Sequence, residues 1–219
     1  MKNFVGGALT KAEIFQRLQT KKKKQKIFFT PMINVNQQLG PSTLDMRLGT
    51  QFIVFKRTRY PILDVCEGDS EDLAWKIGRY QEKTHIPLGR KIILHPQQLV
   101  LGSTLEYIRL PGDLMAELIG RSSWGRLGLI ISAATLVHPC YAGVITLELA
   151  NEGDTPIALY PGVRIAQLAF HKLAQPKKEE GLFHTKYLGS VEPSFSRLHE
   201  DKDLSIIRRI RKELPSSHQ

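Results

Sequence analysis

Apolar positions along this chain follow three different spacings. Near the amino terminus Ile14 and Leu18 stand four residues apart, and Thr10-Lys11-Ala12-Glu13 before them has the T-x-x-E form of a capping box. Together they predict a short amphipathic helix. Beyond it Ile27–Thr30 reads as extended, Gln37–Ser42 as a turn, and Thr43–Leu48 and Gln51–Phe55 as two short strands. From Ile86 to Phe170 the runs Lys91–Leu94, Leu99–Ser103, Leu114–Ile119, Ile130–Ala133, Val144–Leu149, Ile157–Leu159 and Ile165–Phe170 alternate with turns carrying Gly, Pro or Asn. Such regular spacing predicts an all-β sandwich or barrel. Glu71–Tyr80 carries a helical pattern interrupted by Gly78, so helix and loop both remain open there. After His171 the chain turns polar and ends in a basic amphipathic stretch, Leu204–Leu214, peripheral to the β core. The expected organisation is a β domain with its amino-terminal helix over 1–174 and a polar tail over 175–219.

At 219 residues, 42% hydrophobic and 24% charged, the chain has the composition of one globular domain with a real core. No apolar run approaches the ~20 residues of a membrane span, and MKNFVGGALTKAE lacks the apolar centre of a signal peptide. A soluble cytoplasmic protein with no membrane partner is expected. Cys66 and Cys140 follow no CxxC or Cys/His ligand spacing, which predicts two reduced thiols rather than a disulfide or a structural zinc site. The net charge of +10 admits nucleic acid, anionic membranes or anionic small molecules. Its two blocks, Lys21–Lys24 with Lys26 and Arg208, Arg209, Arg211 and Lys212, lie at the domain edges, where like charges repel and stay hydrated. Nucleic acid is therefore the lesser option.

Chemistry concentrates in two places. In Gly120–Leu129, GRSSWGRLGL, Arg121 and Arg126 bracket the hydroxyls of Ser122 and Ser123, while Gly120, Gly125 and Gly128 would let backbone amides approach an anion. That set suits a nucleotide polyphosphate; surface or subunit-contact ion pairs are the alternative for the two arginines. Glu148 sits in VITLELAN, where Ile145, Leu147 and Leu149 take the alternate face. It is either a solvent-facing strand position or a base held for use. In TLDMRLG, Asp45 and Arg47 most simply pair with each other, and a lone His138 is more often structural than chemical.

Five ordered blocks carry a family likeness: TLDMRLG at Thr43–Gly49, LHPQQLVLGSTLEYIRLPGDL at Leu94–Leu114, GRSSWGRLGL, VHPCYAGVITLELAN at Val137–Asn151, and LYPGVRIAQL at Leu159–Leu168. A K-Y-x-G…S-R pattern follows in Lys186, Tyr187, Gly189, Ser196 and Arg197. In this order they resemble the dCTP deaminase family of the dUTPase-like trimeric superfamily. The resemblance implies a mainly β fold, a dUTPase-like distorted β-barrel or jelly-roll with a short amino-terminal helix and a polar carboxyl-terminal tail, assembled as a homotrimer. It implies hydrolytic deamination of dCTP to dUTP and ammonia, with Glu148 as general base and Ser122 and Arg126 completing the catalytic set. Arg121 and Ser123 would hold phosphate oxygens, and His138, Tyr141, Lys186 and Tyr187 are the further substrate-binding candidates. The chain reads V-H-P-C where the family more commonly has I-D-P-G, Ser132–Leu136 is slightly shorter than the family's segment, and Ser190 stands where relatives often carry glutamine. Mg2+ is expected with the triphosphate. Zinc is not, because Pro139-Cys140 has no second cysteine two residues on and the H-x-E…P-C-x-x-C signature of zinc deaminases is absent. A dUTPase, or a bifunctional enzyme carrying dCTP through to dUMP, remains open; so does a non-catalytic nucleotide-sensing or nucleic-acid-binding relative, which His138, the shortened segment and the basic runs would suit.

Overall fold

The computed structural model describes residues 7–56, 62–132, 136–175 and 189–213. Thr10 opens helix α1 (Lys11–Gln19) with both halves of the capping box formed: the Glu13 amide donates to Thr10 Oγ1 and the Thr10 amide donates to Glu13 Oε2 at 2.9 Å. There follow β1 (Phe28–Thr30), α2 (Val35–Gln38), β2 (Thr43–Phe55), α3 (Ser70–Tyr80), β3 (Gln81–His85), β4 (Ile92–Leu94), β5 (Leu99–Arg109) and β6 (Leu114–Gly120). The chain continues through α4 (Ser122–Gly125), β7 (Leu129–Ser132), β8 (Leu136–Val137), β9 (Ala142–Asn151), β10 (Ile157–Leu159), β11 (Arg164–Lys172) and α5 (Lys202–Glu213). Antiparallel pairing gives the order β7-β9-β5-β2-β11-β6-β8, with β1 added to β5, β3 added to β2, and a separate β10–β4 pair. The mainly β expectation stands. Leu44, Met46, Leu48, Phe52, Ile108, Leu147, Leu149, Leu168 and Phe170 fill the core with no exposed surface.

Four points of the sequence reading are changed or decided by the structure. The two strands anticipated around Gly49 are one, β2, whose register against β5 shifts between Leu48 and Phe52. A Cβ at Gly49 would lie 2.7 Å from Ser103 Oγ, so this glycine serves a bulge where strands approach closely instead of ending one. Gln37 and Gln38, expected in a turn, belong to α2, because Asn34 caps it by accepting the amides of Asn36 and Gln37 at 3.1 and 3.2 Å. The open segment is the helix α3: Asp69 accepts the amides of Glu71 and Asp72, and Asp72 returns the bond, while Gly78 lies on the exposed side. Leu73 and Ile77, one turn apart, bury against Leu204 of α5 in a small second cluster.

The fourth change concerns charge. Asp45 and Arg47 do not pair with each other. Residues two apart on a strand are separated by about 6.6 Å, whereas cross-strand neighbours stand roughly 5 Å apart. Each side chain therefore reaches to another strand. Arg47 Nε donates to Glu106 Oε1 at 2.6 Å and the Arg47 amide to Glu106 Oε2 at 2.8 Å. Asp45 accepts from Gln167 Nε2, its register partner on β11, and from Arg164 Nη1, both at 3.1 Å. Burial pushes the Glu106 carboxyl above its ordinary value, against the opposing pull of the Arg47 amide and guanidinium. The carboxyl-terminal basic run is also less hydrated than expected: Arg208 donates to Val65 O and Ser70 Oγ, and Arg211 meets Asp64 at 3.1 Å. Lys21–Lys24 are exposed. Cys66 is a free thiol, and among the described residues no helix is long and apolar enough to cross a membrane.

The α1 cap supplies a pH test. The Lys172 ammonium, then the Thr10 amide, hold the Glu13 carboxyl down from 4.5 to about 2. A depressed carboxylate stabilises the fold fully above its unfolded value, and that contribution is lost as pH falls through the folded one. Glu13→Gln should therefore lose less stability than the native chain across that interval, measured by urea midpoints. Identical acid-induced losses in the two proteins would exclude Glu13 as a titrating contributor.

Candidate active site

β9 carries its side chains alternately inward and outward. Leu147 and Leu149 are fully buried in the core; Glu148, between them, faces the other way and is half-buried. It stands opposite Leu101 on β5 and Ser132 on β7. There it lines a cavity of about 760 Å³ whose walls include Phe55, Leu73, Ile77, Leu101 and Thr146. A half-buried carboxylate on a mainly apolar wall is neither a core residue nor a freely solvated one.

Two other candidates line the same cavity. His138 is exposed, and its carbonyl accepts the Tyr141 amide at 3.2 Å. The Tyr141 hydroxyl donates to Val144 O at 2.6 Å; burial, with Tyr107 second, pushes that hydroxyl up to about 12. It is thus a neutral group already committed to the backbone, and what Tyr141 offers the cavity is its ring. The tail closes another side. Gly189 donates to Ala142 O at 2.7 Å and Val144 donates to Ser190 O at 2.8 Å, after which Ser194, Ser196 and Leu198 line the cavity. Lys186 and Tyr187 lie outside the described residues, as do residues 133–135 of the shortened segment.

The Arg–Ser motif occupies a different place. α4 and the start of β11 frame a cleft of about 530 Å³ lined by Arg121, Ser123, Trp124, Arg47 and Arg164. Trp124 Nε1 donates to Arg164 O at 2.9 Å, tying the turn to β11. Asp45 lies 3.1 Å from Arg164 Nη1 and 3.9 Å from Arg121 Nη1. Ser122 and Arg126 are exposed on the same turn and line neither of these two cavities. Of the three motif glycines only Gly128 is required by conformation, with φ +90 and a notional Cβ 2.7 Å from Gly153 N. It serves packing, and nothing crowds Gly125. Arg164 carried no local signal in the sequence; only the β2–β11 register, which sets it opposite Arg47, brings it to the cleft.

The structure thus groups Arg121 with Ser123, and Glu148 with His138 and Tyr141. Among the described residues none lines both cavities, and the two groups lie in separate hollows.

The antiparallel sheet thus carries one cleft lined by arginines and one mainly apolar cavity with a carboxylate on its wall. Residues 8–173 match the family described as dCTP deaminase-like, which is well over half of the chain. The chain belongs to the dCTP deaminase-like family. It is 40% identical over 201 residues to a dCTP deaminase of Halorubrum lacusprofundi, covering 89% of this chain and 93% of that one. Against a dUMP-forming dCTP deaminase of Methanobrevibacter smithii it is 40% identical over 183 residues, covering 82% and 91%. A solved 2'-deoxycytidine 5'-triphosphate deaminase from Agrobacterium tumefaciens superposes with TM-score 0.57 at 22% identity, a likeness of fold. It covers 78% of this chain and 48% of that one, so the chain spans about half the length of that structure.

Gly143 tests how the tail is held. Its φ is +152, and a Cβ would stand 3.0 Å from both Ser190 O and the Tyr141 hydroxyl. Gly143→Ala should add roughly 1–3 kcal/mol of strain at this contact and release the tail, read as faster limited proteolysis after residue 188 with unchanged far-UV circular dichroism. Native-like cleavage would show that the contact does not hold the tail.

Proposed function

We propose that this chain is a dCTP deaminase, hydrolysing the C4–N4 bond of the cytosine ring of dCTP to give dUTP and ammonia. The observation that carries the reading is Glu148, half-buried on the wall of an apolar cavity within the family-matched region. In the proposed mechanism Glu148 takes a proton from water as the oxygen bonds to C4, then delivers a proton to the departing amine as the C4–N4 bond breaks. A carboxylate in a partly dehydrated setting is suited to both transfers. Arg126 and Ser122 would stabilise charge that develops in the tetrahedral species, while Arg121 and Ser123 bind phosphate oxygens. His138, Tyr141, Lys186 and Tyr187 would complete the walls around sugar and base.

Such a mechanism needs both cavities at one substrate. Because they share no residue, the reading pairs the Arg121–Ser123 cleft of one subunit with the Glu148 cavity of the next in a homotrimer, the exposed Ser122 and Arg126 reaching across. Mg2+ fits as a companion of the triphosphate. Among the described residues no group of three or more His, Cys, Asp or Glu side chains is gathered, and Mg2+ typically keeps waters and phosphate oxygens as ligands. Bound in that way it would neutralise phosphate charge. The proposed proton transfers involve no zinc, and the proposed setting is the cytoplasm.

Glu148→Gln should lower ammonia release by ~100-fold or more while dCTP binding stays measurable by calorimetry; undiminished turnover would remove this mechanism. The dUMP-forming relative supplies a second reading, in which dUTP is carried on to dUMP. Pyrophosphate assayed alongside ammonia separates the two: ammonia alone supports dUTP as the product, and equal amounts of both support dUMP.

A further inference from the structure

We infer that Arg164 is a phosphate-reading residue of the Arg121–Ser123 cleft, one that distinguishes a triphosphate from a monophosphate. The inference rests on the function proposed above. Three guanidinium groups line this cleft, but they are not equivalent. Arg47 is almost fully buried and spends its Nε on Glu106 and its Nη2 on Pro31 O. Its charge is cancelled by a carboxylate at 2.6 Å. Arg121 and Arg164 share the single carboxylate of Asp45, which leaves the cleft one positive charge in excess and suited to an anion.

Arg164 is the better presented of these two. Its Nη1 is fixed from two sides, donating to Gln37 O at 2.7 Å and to Asp45 Oδ2 at 3.1 Å. Among the described residues its Nε and Nη2 have no partner, and 39% of its side chain is exposed. An arginine anchored at one nitrogen presents the Nε–Nη2 edge as a rigid fork, the shape that meets two oxygens of one phosphate. Its main-chain carbonyl accepts the Trp124 indole, which ties the backbone bearing the fork to the turn that carries Ser123. Arg121, at 28% exposure, is held by longer contacts, an Nη1 hydrogen bond to Arg164 O at 3.4 Å and a 3.9 Å approach to Asp45, and is the more adjustable partner. The two arginines would then grip adjacent phosphates, Arg121 by charge and Arg164 by a two-point fork.

The test uses the full chain, with Arg164→Gln and Arg164→Lys, and compares binding of dCTP and dCMP together with competition by inorganic tripolyphosphate. Arg164→Gln should weaken dCTP and tripolyphosphate by about 10- to 100-fold, leave dCMP nearly unchanged, and raise KM with kcat retained. Arg164→Lys keeps the charge but not the fork, so it should recover only part of the lost affinity. A merely structural role would weaken both nucleotides together; a dCTP-to-dCMP ratio unchanged in the two variants overturns the inference. Should Arg164→Gln fail to fold, the same ratio in Arg164→Lys decides. A native chain that neither binds dCTP nor releases ammonia overturns the proposed function itself, whereas an active native chain with unchanged variant ratios removes Arg164 alone.

Discussion

Two carboxylates enclosed between antiparallel strands, Glu106 and Asp45, hold the arginines of the Arg121–Ser123 cleft in place. An ion taken from water into a protein interior costs several kcal/mol, and the cost is offset only where charge and hydrogen-bonding capacity are both met. Glu106 meets that condition with Oε1 on Arg47 Nε and Gln38 Nε2, and Oε2 on the Arg47 amide. One side chain thereby ties β5 to β2 and to α2, and through Arg47 Nη2 to Pro31 beyond β1. Asp45 does the equivalent for β11 through Gln167 and Arg164. Without these anions the arginines of the cleft would repel one another.

The sheet's irregularities serve the same geometry. The register of β5 against β9 shifts between Ser103 and Tyr107, and the gap is closed by Thr104, whose Oγ1 accepts the Ile145 amide at 2.9 Å and donates to Glu106 O at 2.8 Å. Beyond this bulge β9 regains register, with Leu101 opposite Glu148. Strand side chains alternate strictly, so a slip of one residue would exchange Glu148 for Leu147 or Leu149 on the cavity face. A single threonine hydroxyl thus ties the main chain at Glu106 to the strand that carries the proposed base.

What could be read from the sequence was what is local. The capping box at Thr10 and the outward alternation of Glu148 depend on residues within a few positions of one another, and both appear as expected. The family is legible for a similar reason, since its motifs are short blocks in fixed order. The partners of Asp45 and Arg47 were not legible, because they are chosen by registers between strands far apart in the chain. Arg164 was missed on the same ground. Local reading also underrated Asp69, whose cap outweighs Gly78 in α3. Nor does a linear pattern reveal that the carboxylate and the phosphate-type motif face separate hollows.

The returning segment at Gly189–Ser190 has a consequence apart from lining a cavity. β7 pairs with β9 along residues 148–151, so among the described residues no strand of the sheet flanks Ala142–Val144 on that side, where Ala142 O and the Val144 amide are met by Gly189 and Ser190 of the tail. Uncovered strand margins are templates for pairing between molecules. The same few residues therefore act as a guard against self-association, and shortening the chain there would cost solubility as well as the cover over Glu148.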